Sequence, residues 1–194
     1  MKRILITGFE PFGGETINPS WEAVKSLPEE IHGCSLKKLL LPVVFGEAAS
    51  LALKTAEKIT PNFILCIGQA GGRAEVTPEL VAINLRHASI PDNNGNQPKD
   101  ETIKPGAPAA YFSTIPARKI ADAVKASGVP SKLSYSAGAY VCNDLLYALL
   151  SHFENSDIRV GFIHIPCSKE QGKTPSMEMR DIIKALTVAI ENLE

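Results

Sequence analysis

Three residues stand out as able to do covalent chemistry: Cys142, His164 and Glu79. Ser136-Ala137-Gly138-Ala139-Tyr140-Val141-Cys142-Asn143-Asp144 is a small-residue turn that opens a helical stripe starting at Leu145. The spacing puts Cys142 at a helix N-terminus, where unpaired N–H groups and the macrodipole lower a thiol pKa and offer donors to an oxyanion. The plain alternative is a buried thiol packing as a small hydrophobe. His164 follows the apolar Gly161-Phe162-Ile163 and precedes Ile165-Pro166, so its imidazole sits at the exit of a strand, where α/β folds gather reactive groups. A satisfied core or edge histidine is its ordinary role. Glu79, in Thr77-Pro78-Glu79-Leu80, leads into the apolar Val81-Ala82-Ile83; a carboxylate there either orients an imidazole or is simply solvated. Taken together, a thiol, an imidazole and an acid supply nucleophile, base and orienter for acyl transfer. His32, His87 and His152 lack comparable settings, and no two histidines have metal-ligand spacing.

These groups need a scaffold, and the hydrophobic pattern describes one. Runs at 2–7, 36–44, 63–67, 81–85, 132–136 and 159–165 read as strands, several of them apolar on both faces as in strands covered by helices. Helical periodicity lies between them, in Ala48, Leu51, Ala52, Ala56 and Ile59, in Ile120, Ala123 and Val124, and in Leu145, Leu146, Leu149, Leu150 and Phe153. Gly128 and Pro130 stop the helix that begins near Pro116, and Thr174-Pro175 reads as N-cap and first residue of the last helix. Alternating strands and helices predict a three-layer α/β/α sandwich around a twisted mixed sheet, in a single domain over 1–194. The Pro-, Asp-, Asn- and Gly-rich stretch 90–108 is a long loop or hairpin turning at Asn94-Gly95, of a length that is often functional.

Charge and motif content narrow the function. With 20 Lys+Arg against 21 Asp+Glu there is no global field to recruit nucleic acid or an anionic membrane. Ile4-Leu5-Ile6 is too short for a signal-peptide core, no run suits a transmembrane helix, and the four cysteines form no C-x-x-C pair, so we expect a cytosolic chain with reduced thiols. Gly8-Phe9-Glu10-Pro11-Phe12-Gly13-Gly14 lacks the Lys and Ser/Thr of a phosphate loop. Asp92-Asn93-Asn94-Gly95-Asn96 lacks the terminal acid of a calcium loop, where Ile103 stands. Gly68-Gln69-Ala70-Gly71-Gly72 is not a dinucleotide fingerprint. No metal or organic cofactor is expected.

Nearly end to end, the chain resembles the pyroglutamyl peptidase I family of cysteine peptidases. The segments are TGFEPFGG at 7–14, NPS at 18–20, LPVVFG at 41–46, GQAGGR at 68–73, PE and VAIN within 78–84, IPDNNGNQP at 90–98, GAPAAYFSTIP at 106–116, SAGAYVCN at 136–143 and FIHIP at 162–166. The resemblance implies cleavage after an N-terminal pyroglutamyl residue through a thioester. It assigns Cys142 as nucleophile, His164 as base then acid, and Glu79 as the group that orients His164. It also places Phe9, Phe12, Gln69 and Val141 at the substrate ring, and implies a homodimer or homotetramer acting on pyroglutamyl peptides. Phe9 and Phe12 have core packing, and Gln69 has backbone structuring, as their ordinary roles.

Two positions depart from the family's usual pattern: Leu80 and Ser89 stand where arginines are common. Arg86 lies at an odd offset from Ser89 and so on the opposite face of an extended segment, which makes it no substitute. Cys167 follows the histidine where an aromatic is usual. Two rival readings follow: a lactam-binding protein of the same fold with weak or no turnover, and a nucleoside-processing or other hydrolase on a similar sandwich, which rests on fold analogy alone.

Overall fold

The computed structural model describes all of residues 1–194. Its strands in chain order are β1 (Lys2–Phe9), β2 (Glu30–Ile31), β3 (Cys34–Leu41), β4 (Phe63–Gln69), β5 (Thr77–Pro78), β6 (Val81–Ile83), β7 (Ala110–Phe112), β8 (Arg159–Ile165), β9 (Cys167–Ser168) and β10 (Ser176–Met177). The helices are α1 (Pro19–Ser26), α2 (Glu47–Ile59), α3 (Ala117–Ala126), α4 (Val141–His152) and α5 (Met179–Glu191).

The main sheet has the order β2-β3-β1-β4-β8-β5. Its four inner strands are parallel, and the short edge strands β2 and β5 run antiparallel to their neighbours. Side chains alternate across it: Ile4 and Ile6 face α1, α3 and α5, whereas Leu5 faces α2 and α4. All three are fully buried, and burying one such side chain contributes about 1.5–3 kcal/mol. Two apolar layers on opposite faces of one mixed sheet make the expected α/β/α sandwich.

β1, β4 and β8 are adjacent and parallel, so their carboxyl ends emerge along one edge, the usual place for a site in an open α/β sheet. α1 closes that end against β1. An added Cβ at Gly8 would fall 2.7 Å from the Trp21 Cα, a backbone atom that cannot swing away, so this approach requires glycine. No helix is long and apolar enough to cross a membrane.

Several expected boundaries move. The run at 132–136 is not a strand; Ser134 makes an isolated bridge to Glu79, as Ser131 just before the run does to Val76. The last helix does not begin at Thr174-Pro175, a cis peptide, because Ser176–Met177 first pairs with Cys167–Ser168; α5 starts at Met179 with Glu178 as N-cap. Strand β3 stops at Leu41, before Pro42, and β6 stops at Ile83. The eight-residue α1 was not expected at all.

The long loop after Ile90 is ordered around Asp92. Its Oδ1 accepts from the backbone N–H of Asn94 (3.0 Å) and Asn96 (2.8 Å), and its Oδ2 from Phe45 N–H (3.0 Å) and Asn96 Nδ2 (2.9 Å). The acid that gave the segment a partial calcium-loop look is thus engaged in building the turn, which passes through Gly95 at φ +83°.

Candidate active site

Cys142 is the second residue of α4, and no side chain caps that helix's N-terminus, leaving the N–H groups of its first turn facing the site. The two residues after the thiol fix the helix start in place. Asn143 Nδ2 donates to the carbonyls of Ile83 (2.9 Å) and Leu85 (3.0 Å), and its Oδ1 accepts from Ile83 N–H (2.9 Å). Asp144 is fully buried and accepts from Gly46 N–H (2.8 Å) and Arg86 Nε (2.6 Å). Arg86 is thereby engaged with a buried carboxylate at the start of α4.

His164 lies near the end of β8, with Nδ1 2.7 Å from Glu79 Oε1. Glu79 is itself fully buried, held by its own N–H on the Phe162 carbonyl (2.9 Å) just after β5. The same Oε1 accepts from Arg73 Nη1 at 2.7 Å, and Arg73 also donates to Thr77 Oγ1 (2.6 Å) and the Ser136 carbonyl (3.1 Å). An ionised carboxylate only accepts, so Nδ1 carries the proton and Nε2 is left as the free acceptor.

Gly68 joins the two halves. It is the register partner of His164 on the neighbouring strand, and an added Cβ would come within 2.6 Å of Phe162 Cζ and 3.0 Å of Cys142 Sγ. The thiol thus lies directly over the backbone next to His164, and the Phe162 and His164 rings lie 4.7 Å apart. A side chain at position 68 would push the thiol and the aromatic ring away from this arrangement.

Burial sets the protonation states. It pushes the Cys142 thiol up to about 12, with the Glu79 charge adding to it, a direction opposite to the lowering expected of a helix N-terminus. Burial also lowers His164 below its ordinary value, even though Glu79 acts in the opposite direction. Burial would raise Glu79, but its bonds with His164, Ser134 and Arg73 hold it below the ordinary carboxylate value. The resting pair is therefore a neutral thiol beside a neutral imidazole, with a carboxylate behind it.

A small cavity of about 40 Å3 opens at the thiol, lined by Phe9, Phe12, Val43, Gln69, Tyr140 and Val141. All four ring-contact residues expected from the sequence lie there. Such a volume holds roughly three water-sized groups, a space for a compact ring. Its walls are mostly apolar, and Gln69 supplies the polar side. That amide is itself held, with Nε2 donating to Cys167 Sγ (3.2 Å) and Oε1 accepting from Gln171 Nε2 (3.3 Å). Asn18 also borders the cavity, but its Oδ1 caps α1 through Ser20 N–H (3.0 Å).

Sequence reasoning passed over Arg73, Val43 and Tyr140. A cation in a glycine-rich turn was the available signal for Arg73, yet nothing local pointed to its carboxylate partner. No group of three or more His, Cys, Asp or Glu side chains converges in a metal-binding arrangement.

Comparison with known proteins agrees with this geometry. The family model described as pyroglutamyl peptidase matches residues 2–194. The chain is 47% identical over 194 residues to the pyrrolidone-carboxylate peptidase of Bacillus amyloliquefaciens, covering 97% of this chain and 90% of that protein. It is 46% identical to that of Thermococcus kodakarensis, with 97% and 94% covered. Among solved structures, pyroglutamyl peptidase I from Bacillus amyloliquefaciens superposes with a TM-score of 0.95 at 46% identity, covering 100% of this chain and 97% of the other. The pyrrolidone carboxyl peptidase of Thermococcus litoralis gives 0.95 at 36% identity, with 100% and 93% covered.

Proposed function

The chain belongs to the pyroglutamyl peptidase family, and on that premise we propose that Cys142, His164 and Glu79 cleave the amide bond after an N-terminal pyroglutamyl residue. The observation that carries this assignment is the Cys142 thiol, which lies at the uncapped start of α4, over Gly68 and next to a His164 held by a buried Glu79.

Because the resting thiol is neutral, its proton passes to His164 Nε2 as Sγ attacks the pyroglutamyl carbonyl. The oxyanion forms against the leading N–H groups of α4, each such donor contributing about 2.7–4 kcal/mol in comparable sites. Glu79 stabilises the imidazolium formed in this step. The C–N bond then breaks, with the imidazolium proton going to the departing amine, and a thioester remains. Water attacks it, giving one proton to His164, and pyroglutamic acid leaves as the sulfur takes that proton back.

Pyroglutamate is a small neutral lactam and needs no charged clamp. The apolar walls suit its ring, and the remaining N–H and lone pair of Gln69 suit its amide edge. The test is release of a fluorophore from a pyroglutamyl amide, run beside the prolyl amide, which has neither ring carbonyl nor amide proton. A site whose polar groups are left unpaired rejects such an analogue by about 10,000-fold. Equal cleavage of the two would remove the lactam assignment.

The same assay over pH tests the lowered value of His164. His164 must be unprotonated to accept the thiol proton, and its value lies below the ordinary 6.5. The midpoint of the acid limb of kcat/KM should therefore lie below 6.5. A midpoint above 6.5 would overturn that lowering. The family resemblance also supports a homodimer or homotetramer in the cytosol, since isologous pairing is common among soluble chains.

A further inference from the structure

We propose that the groove on the far side of Gln69 receives the side chain of the residue that follows pyroglutamate, and that it favours large uncharged side chains. This rests on the peptidase reading above and gives the leaving group its own subsite.

The groove encloses about 490 Å3 and is bordered by Glu15, Gly71, Ser89, Ile90, Cys167 and Lys173. Phe12 and Gln69 form a wall common to this groove and the ring cavity. The other large hollows on the molecule share no residue with the ring cavity. Direction agrees with this. The departing amine must lie against His164 to be protonated, and Cys167 is three residues further along the same stretch of chain, about 10 Å in extended backbone. A peptide leaving the ring cavity past Phe12 and Gln69 enters the groove.

Its shape and charge set the preference. Gly71 and Gly72 carry no side chains into it, and at Gly71 an added Cβ would meet only Cys167 Sγ, at 4.0 Å. Ser89, an exposed residue on the rim, leaves room that a longer side chain would fill. The two charges present neutralise each other: Lys173 pairs with Glu15, whose other oxygen accepts from Gln171 Nε2 at 3.3 Å. An incoming charged side chain would have to break that pair or remain without a partner, whereas a large neutral one covers Phe12 and Ile90 and disturbs neither.

The experiment compares kcat/KM for the amides of pyroglutamyl-alanine, pyroglutamyl-phenylalanine and pyroglutamyl-glutamate. The phenylalanine peptide should exceed the other two by about tenfold, the low end of what a single methylene contributes in an apolar pocket. Ser89→Trp, which fills the groove from its rim, should reduce the phenylalanine-to-alanine ratio to near one. Gly71→Leu, which fills it from the floor, should do the same and guards against misfolding of the first variant. Equal rates for the three peptides, or a preference that survives both variants, overturns the subsite. If folded wild-type protein cleaves none of the three, nor the fluorogenic pyroglutamyl amide, the peptidase reading itself fails.

Discussion

Replacing Cys142 by alanine should abolish release of the fluorophore from a pyroglutamyl amide, by about 10,000-fold or more, while the far-UV circular dichroism and unfolding midpoint stay near wild type. The loss is large because none of the other three thiols borders the ring cavity; Cys167 accepts from Gln69 Nε2 and lines the neighbouring groove instead. Cys66 is fully buried in β4 within the α2–α4 layer. Cys34 pairs in register with Lys2, at the opposite end of β1 from the site. Cys34→Ala is therefore the matched control and should keep its turnover. The cost to stability is small because only one sulfur is removed, at a position that opens to a cavity rather than to the centre of a core. Cys142→Ser should be almost as inactive as the alanine variant: a hydroxyl holds its proton far more tightly than a thiol, and the neutral imidazole is set to accept from sulfur. Full turnover in either variant would remove the thiol from the reaction and require a different nucleophile.

The placement of the reacting groups was legible because each sits where a strong pattern begins or ends. β8 spans Arg159–Ile165, the expected bounds, since that run is apolar on both faces and Pro166 stops it. The start of α4 was readable from small residues followed by a leucine stripe. What was missed depends on partners distant in sequence. α1 has only four buried residues in eight, too few for periodicity to show, although Asn18-Pro19 is a sound cap and first position. The segment 132–136 alternates like a strand, yet its neighbours bridge it at single points, and a ladder needs consecutive partners. Thr174-Pro175 has the composition of a helix start, but Met177 is claimed by pairing with Ser168 before a helix can begin. The upward push on the thiol is hidden for the same reason: the helix terminus can be read from a local run, and the Phe162 ring, Gly68 backbone and Glu79 charge that surround the sulfur cannot. Arg73 likewise acquires its meaning only when the chain folds back to bring Glu79 within 2.7 Å.

Glu79→Gln should lower kcat/KM for the pyroglutamyl amide by about 100- to 10,000-fold, the upper end being the loss seen when an analogous orienting carboxylate becomes an amide. Both His164 Nδ1 and Arg73 Nη1 approach the same oxygen, Oε1, and Oε2 is buried without a hydrogen-bond partner. A glutamine that keeps its oxygen at the Oε1 position preserves both contacts but buries an unpaired NH2 group and has no charge with which to stabilise the imidazolium. A glutamine turned the other way sets donors against both Arg73 and Nδ1–H, which drives the imidazole proton to Nε2 and removes the base. Either arrangement slows acylation, and pH separates this from simple loss of stability. Glu79 raises the His164 pKa through its hydrogen bond and its charge, so without that charge burial acts less opposed and the acid limb of kcat/KM should move to still lower pH. Binding of the lactam ring involves Gln69 and the apolar walls instead, so the loss should fall on kcat, with KM nearly unchanged. A variant that melts earlier but keeps both its turnover and its acid limb would make Glu79 a structural residue only. Glu79→Asp, which retains the charge one methylene short of His164, should recover part of the rate and restore the acid limb toward its wild-type position.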